Sequence, residues 1–292
     1  MPTFETPDPI TVTVEIGVGD IQVTASDRAD TLVEVSPSDP LTRSDVSAAE
    51  QTRVEFADGR LLVKASKGWR QWTPWRGGES IDVRIELPSG SHVRAEAGVA
   101  GFRSSGRIGE CRYRTGVGDC RLEEAARVEV KTGAGDISLE RVNGPTGVVT
   151  GSGAVGIARV DGSVVVRNGN GDTWLGEVAG DARVKAANGA IAIDLARATV
   201  VAKTANGDVR IGEISSGTVV AESAFGAVDV GVRDGVAAWL ELDTKFGTVQ
   251  NHLEAADRPG AGEDTLEVHA HTGYGDITIR RSSAGRPGRD AA

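Results

Sequence analysis

Cysteine, methionine and aromatic side chains are nearly missing from this chain. Its 292 residues include two Cys, one Met and 4% Phe, Trp and Tyr. So small a supply of bulky side chains argues against a large globular core and favours short strands joined by turns. Two cysteines cannot frame a disulfide scaffold, and Cys111 and Cys120 lack the C-x-x-C spacing of zinc or redox sites. Both fall at inward positions of the register derived below and read as buried, apolar thiols. Basic residues fall short of acidic ones, 32 against 42 for a net charge of −10, and they form no block. The electrostatic footprint of a nucleic-acid or anionic-membrane binder is therefore missing. No window approaches 18 consecutive apolar residues, so no membrane insertion is expected. The start, Met1 to Pro9, has neither a basic segment nor an apolar run, which gives the expectation of a cytoplasmic chain. No Gly-x-Ser-x-Gly elbow, Walker A loop or strand-to-helix Gly-x-Gly-x-x-Gly occurs, so the expectation is a non-enzyme without a cofactor.

Glycine, by contrast, is abundant at 39 residues, and it recurs within a pattern. Thr115-Gly-Val-Gly-Asp-Cys-Arg-Leu122 returns as Thr132-Gly-Ala-Gly-Asp-Ile-Ser-Leu139, Asn168-Gly-Asn-Gly-Asp-Thr-Trp-Leu175 and Thr204-Ala-Asn-Gly-Asp-Val-Arg-Ile211. Anchored on the residue before the Asp, the units follow at Ala100, Gly118, Gly135, Gly153, Gly171, Gly189, Gly207, Gly226, Gly247 and Gly275. The spacing is about 18 residues, lengthening towards the end. Apolar columns stand seven residues before the anchor and two and four after it, with mostly polar or charged residues between them. Side chains therefore alternate in and out along short strands. A unit this short cannot bury its own apolar column and must stack on its neighbours. The fold expected is all-β, a parallel β-solenoid (single-stranded β-helix) of about 18-residue coils with an N-terminal β-rich capping region.

Three segments follow. Residues 1–92 form the cap, with alternating runs at Ile10–Ile16, Gly17–Val23 and Thr31–Val35, and an Asp58-Gly59 hairpin. This region also carries a short helix over Val46–Gln51, capped at Ser44 or Asp45, and a Trp-rich loop. Residues 93–280 hold the solenoid repeats, and 281–292 read as a disordered tail.

The repeated turn supplies a structural ladder of Thr132, Gly135, Asp136, Asn170, Gly171, Asp172, Asn188, Asn206, Gly207 and Asp208. Thr and Asp are expected to bond nearby turn amides and carbonyls, and the Asn column passes, one coil at a time, into Phe225, Phe246 and Tyr274. Calcium binding of the Gly-Gly-x-Gly-x-Asp type fails, because the Asp here follows its Gly directly. Asp119 and Asp136, on adjacent coils, are the one carboxylate pair to test for a cation; no resident metal is expected. His269-Ala-His271 places two imidazoles on one strand face, either as a metal pair or as ordinary surface residues. Trp69, Arg70, Trp72, Trp75 and Arg76 form a partner-binding candidate, because Trp and Arg are enriched at hot spots; the alternative is that these side chains cap an open coil. Trp174 lies outward between Thr173 and Leu175 and, with Trp239, marks a second candidate surface.

These in-register units, closing with Thr272-Gly-Tyr-Gly-Asp-Ile-Thr-Ile279, resemble the bacterial putative-adhesin family of β-strand-repeat proteins, a domain of unknown function, over roughly residues 10–280. The resemblance implies a β-helical fold and suggests adhesion, and carries no catalytic residues. The expected function is a non-enzymatic binding or scaffold module whose partner is an unknown protein or glycan. Self-association into a bactofilin-like structural solenoid is the alternative, with a carbohydrate-active β-helix behind it.

Overall fold

The computed structural model describes residues 2–65, 79–253 and 265–282. Two compact units divide the chain, residues 1–154 and 155–292. Both are all-β and built from stacked parallel coils.

The first unit contains β1 (Thr3–Glu5), β2 (Thr11–Ser26), β3 (Asp30–Pro37), helix α1 (Arg43–Gln51), β4 (Arg53–Ala57) and β5 (Arg60–Lys64). After these come β6 (Ser80–Pro88), β7 (His92–Val117), β8 (Cys120–Ala134), β9 (Ile137–Val142) and β10 (Thr146–Ser152). The parallel ladder starts before the repeats do. Ile21 in β2 is in register with Phe102 in β7, Phe102 with Cys120 in β8, and Cys120 with Ile137 in β9. The expected 92/93 boundary falls at the start of β7, inside this unit. Among the described residues of this unit the antiparallel pairings are β3 with β1 and β6, and β4 with β5 through the Asp58-Gly59 turn. Both turn residues have positive φ, 49° and 69°, as the favoured hairpin turn requires. The helix starts earlier than expected. Its N-cap is Thr42, which makes no side-chain cap bond, whereas Asp45 is buried and accepts the Ser80 N–H at 3.2 Å.

The second unit contains β11 (Val155–Val160), β12 (Val164–Asn170), β13 (Thr173–Val178), β14 (Ala182–Asn188), β15 (Ile191–Ala196), β16 (Val200–Asn206) and β17 (Val209–Ile214). It continues with β18 (Gly217–Phe225), β19 (Val228–Val232), β20 (Ala237–Phe246), β21 (Val249–Asn251), β22 (Thr265–Tyr274) and β23 (Ile277–Arg281). Odd- and even-numbered strands form separate parallel ladders, one strand of each per coil, as in β13–β15–β17–β19 and β12–β14–β16–β18. All of these strands except β20 and β21 bury residues in alternation along much of their length. Val200 and Ala202, then Val209 and Ile211, are almost completely enclosed, and the residues between them are not.

Stacking follows from what one coil lacks. Ordering a residue's backbone costs about 1–2 kcal/mol, and a buried Val or Ile contributes about 1.5–3 kcal/mol. A coil with four or so inward apolar residues cannot offset its own ordering, and coverage from above and below is required.

The end of the stack departs from sequence order. β22 and β23 insert between the coil of β18 and β19 and the coil of β20 and β21, so the chain places its final coil one position back. Composition explains the order. Val268, Ala270, Ile277 and Ile279 are fully enclosed, whereas the corresponding Leu240 and Leu242 are half-buried, Val249 is 45% exposed and Asn251 stands in the core column itself. At the uncovered side Asn251 can meet solvent and is not buried without hydrogen-bond partners.

Candidate binding surface

The corner of each coil determines which side chains face outward. Gly135 and Gly207 both have φ of 141°, and a Cβ on either would lie within 2.2 Å of a backbone carbonyl oxygen in the neighbouring coil. Glycine is therefore required twice over, by conformation and by approach. Ahead of the glycine, hydroxyls point inward and donate to backbone carbonyls: Thr132 Oγ1 to Ala134 O at 3.0 Å, Thr204 Oγ1 to Gly189 O at 3.1 Å, and Ser223 Oγ to Gly207 O at 2.8 Å. The ladder ties coils as well as turns.

The Asp column works differently from the expected turn bond. Asp119 Oδ1 accepts the N–H of Asp136 at 2.9 Å, Asp136 Oδ1 that of Ala154 at 2.8 Å, Asp172 Oδ1 that of Ala190 at 2.8 Å and Asp208 Oδ1 that of Ala227 at 2.8 Å. Each carboxylate serves the corner amide of the adjacent coil, a staple along the stack rather than a local turn contact. Asp276 does the same for Thr248, taking both its N–H and its hydroxyl, which holds the Asp276 carboxyl below the usual carboxylate range. The Asp119 and Asp136 pair thus has a framework role for one oxygen of each.

The outward column just before the glycine forms the most continuous exposed row. Asn188 Nδ2 donates to Asn170 Oδ1 at 2.7 Å and Asn206 Nδ2 to Asn188 Oδ1 at 2.8 Å. The aromatic continuation runs in the order Phe225, Tyr274, Phe246, with Tyr274 in the middle and not at the end, because β22 lies between β18 and β20. Ring centroids are 5.0 and 4.7 Å apart at interplanar angles of 4° and 8°. The three rings stay 55, 50 and 62% exposed, in that order, although stacked.

Trp69, Arg70, Trp72, Trp75 and Arg76 lie outside the described residues. Trp174 is 42% exposed; its Nε1 donates to Asp194 Oδ2 at 3.0 Å, so the indole is fixed across the coil of β15. Trp239 does not lie beside Trp174. It sits at the outer coil, edge-on to the His269 ring at 5.5 Å. His269 bridges Glu241 at 2.7 Å and Glu267 at 3.1 Å, and His271 pairs with Asp243 at 2.9 Å. The hydrogen bond that His269 Nδ1 donates to Glu241, reinforced by the one to Glu267, raises the His269 pKa above its ordinary value. Among the described residues, no group of three or more His, Cys, Asp or Glu could hold a metal ion. Both cysteines are buried and free, and burial pushes the Cys111 thiol up to about 12 and Cys120 likewise upward.

The columns read from sequence overlooked Arg103 and Arg121. They are register partners on β7 and β8, beside a corner where Gly101 occupies the Asp column. That glycine, in a column otherwise of Asp, Ala and Thr248, was the available signal.

A family model described as Toastrack DUF4097 matches residues 10–286. Among curated proteins none matches. Similar solved structures include a putative adhesin from Parabacteroides distasonis, at 10% identity and TM-score 0.38 over 95% of each chain. Another from Parabacteroides merdae has 11% identity and TM-score 0.38 over 95% of each chain. A third, from Bacteroides fragilis, has 11% identity and TM-score 0.34 over 95% of this chain and 96% of that one. At these scores the likeness carries no argument about function. No helix among the described residues is long and apolar enough to cross a membrane.

Proposed function

The chain belongs to the Toastrack DUF4097 family of β-solenoids, and from that premise we propose that it is a non-enzymatic binding or scaffold protein that engages its partner through a lateral face. The observation that carries this reading is the stacked row of Phe225, Tyr274 and Phe246, half exposed and continuing the column of the hydrogen-bonded Asn170, Asn188 and Asn206. Rigid, preordered aromatic rings contribute contact area at little entropic cost on binding. Stacking alone would account for part of the row, since each ring pair adds about 0.5–1.5 kcal/mol beyond burial. It does not account for a contiguous apolar strip left open to solvent.

The outermost described coil favours this reading over an end-to-end polymer. Gln250 and Asn251 place polar side chains at and beside the core column there, a poor surface for stacking a second solenoid. The antiparallel β1 and β4 do not extend a parallel ladder either.

The test is a three-site variant, Phe225→Ser, Tyr274→Ser and Phe246→Ser, against Asn188→Ala as a control on the same column. Partner capture from native extract should be lost in the first and kept in the second, with both proteins folded by circular dichroism. Capture undiminished by the triple change would refute the lateral aromatic face, and concentration-dependent sedimentation into long species would favour the polymer.

A further inference from the structure

Along the corner column of the first unit, three carboxylates serve the amide of the next coil. Asp82 Oδ1 accepts the Asp20 N–H at 3.2 Å, Asp119 Oδ1 the Asp136 N–H at 2.9 Å and Asp136 Oδ1 the Ala154 N–H at 2.8 Å. Between Asp20 and Asp119 the column is interrupted by Gly101, which is in register with Asp20. No side chain is present at that position to receive the Asp119 N–H, and among the described residues this amide has no hydrogen-bond partner. The missing side chain leaves a depression of about 270 Å³ lined by Asp20, Gly101, Gly118, Asp119, Arg103 and Arg121.

The two arginines make the gap more than a void. Arg103 and Arg121 stand directly opposite each other on parallel strands, about 4.8 Å apart by strand spacing. Like charges so placed repel. Both are exposed, and neither has an ion-pair partner among the described residues. Elsewhere in this outward column of the first unit the residues are Arg84, Gln22 and Ser138, so the opposed pair occurs only beside the gap.

We propose that this gap is a carboxylate-binding site for an acidic peptide segment of a partner protein. An Asp or Glu side chain of the partner takes the place that a carboxylate at position 101 would occupy. One oxygen accepts the Asp119 N–H, as Asp side chains do at the neighbouring corners, and the guanidinium groups of Arg103 and Arg121 hold the other in charge-assisted hydrogen bonds. Specificity comes from the balance of charge. Asp20 and Asp119 already offset the two arginines, so one carboxylate is held by the local hydrogen bonds and not by net charge, and a phosphate dianion or a polyanion meets greater repulsion from Asp20. Asp119 already directs Oδ1 at the Asp136 amide. The site lies in the first unit and does not depend on the aromatic row.

The experiment titrates ¹⁵N-labelled full-length protein with acetate, and separately with inorganic phosphate, at constant ionic strength and pH 7. The Asp119 amide resonance should move saturably with acetate and not with phosphate. Gly101→Asp places a carboxylate in the gap within the chain itself, so the resonance should be shifted at the outset and insensitive to acetate. The backbone accepts that substitution, since Gly101 is not among the positive-φ glycines, and the Asp20 side chain, whose Oδ1 would lie 2.5 Å from the new Cβ, must turn aside. Replacing both arginines, Arg103→Gln with Arg121→Gln, should weaken acetate binding by about tenfold or more through loss of the charge-assisted bonds. This second variant carries the test if the first does not fold. An Asp119 amide unmoved by acetate would overturn the proposal. So would an acetate response that persists in Gly101→Asp, or phosphate binding as tightly as acetate.

Discussion

Replacing Gly207 with Ala measures whether the coils are held at backbone contact. Gly207 has φ of 141°, and an added Cβ would stand 2.2 Å from Gly189 O, 2.5 Å from Gly189 C and 2.9 Å from Ala190 N. All three are backbone atoms of the adjoining coil, so no flexible side chain can move aside. A side chain held in so sparse a backbone region costs about 1–3 kcal/mol, and overpacking against a fixed neighbour adds about 1–3 kcal/mol more. The expected loss is therefore about 2–6 kcal/mol. Gly59→Ala is the matched control, with φ of 69° and nothing within 4 Å of its Cβ. Its cost is confined to left-handed backbone strain, about 1–2 kcal/mol. Urea unfolding followed by far-ultraviolet circular dichroism compares the two midpoints, with the slope confirming equal exposure on unfolding. Equal shifts in the two variants would refute the close stacking of coils at the glycine corner.

Two further outcomes follow from the protonation behaviour of particular groups. Cys111 and Cys120, with thiol pKa values pushed upward by full burial, should resist iodoacetamide in the native protein at pH 8 and react fully in urea; rapid native alkylation would contradict their enclosure. His269 has a folded pKa raised by Glu241 first and Glu267 second, so its stabilising contribution is fully present below the ordinary value of 6.5 and disappears as pH rises through the folded value. Nuclear magnetic resonance should find its titration midpoint above 6.5, and Glu241→Gln should bring it down; a wild-type midpoint at or below 6.5 would contradict the bridge between β20 and β22.

Particular residues show which parts of this molecule were legible in the sequence. The stacking columns were, because alternation and turn glycines are local: Val200, Ala202, Val209 and Ile211 occupy the core as their spacing predicts. The Asn column was legible for the same reason, since equal spacing brings Asn170, Asn188 and Asn206 into register. The direction of the Asp bonds was not. A side chain in a turn has amides of its own coil and of the next within reach, and only the placed backbone selects between them, as it does for Asp136 and Ala154.

The order of the last coils belongs to the same class. Sequence periodicity says that Phe225, Phe246 and Tyr274 share a column, yet it assigns no neighbours, because a strand pairs with whichever edge it covers best. Tertiary structure inserted β22 and β23 between the flanking coils and moved the coil bearing Asn251 to the outside, where a polar core position can meet solvent. The sequence by itself therefore determined the coil, its columns and its glycine corners, all consequences of backbone geometry repeated every 18 residues or so. Which coils touch, which amide each carboxylate serves, and the gap at Gly101 beside two opposed arginines were decided only when distant strands came into register.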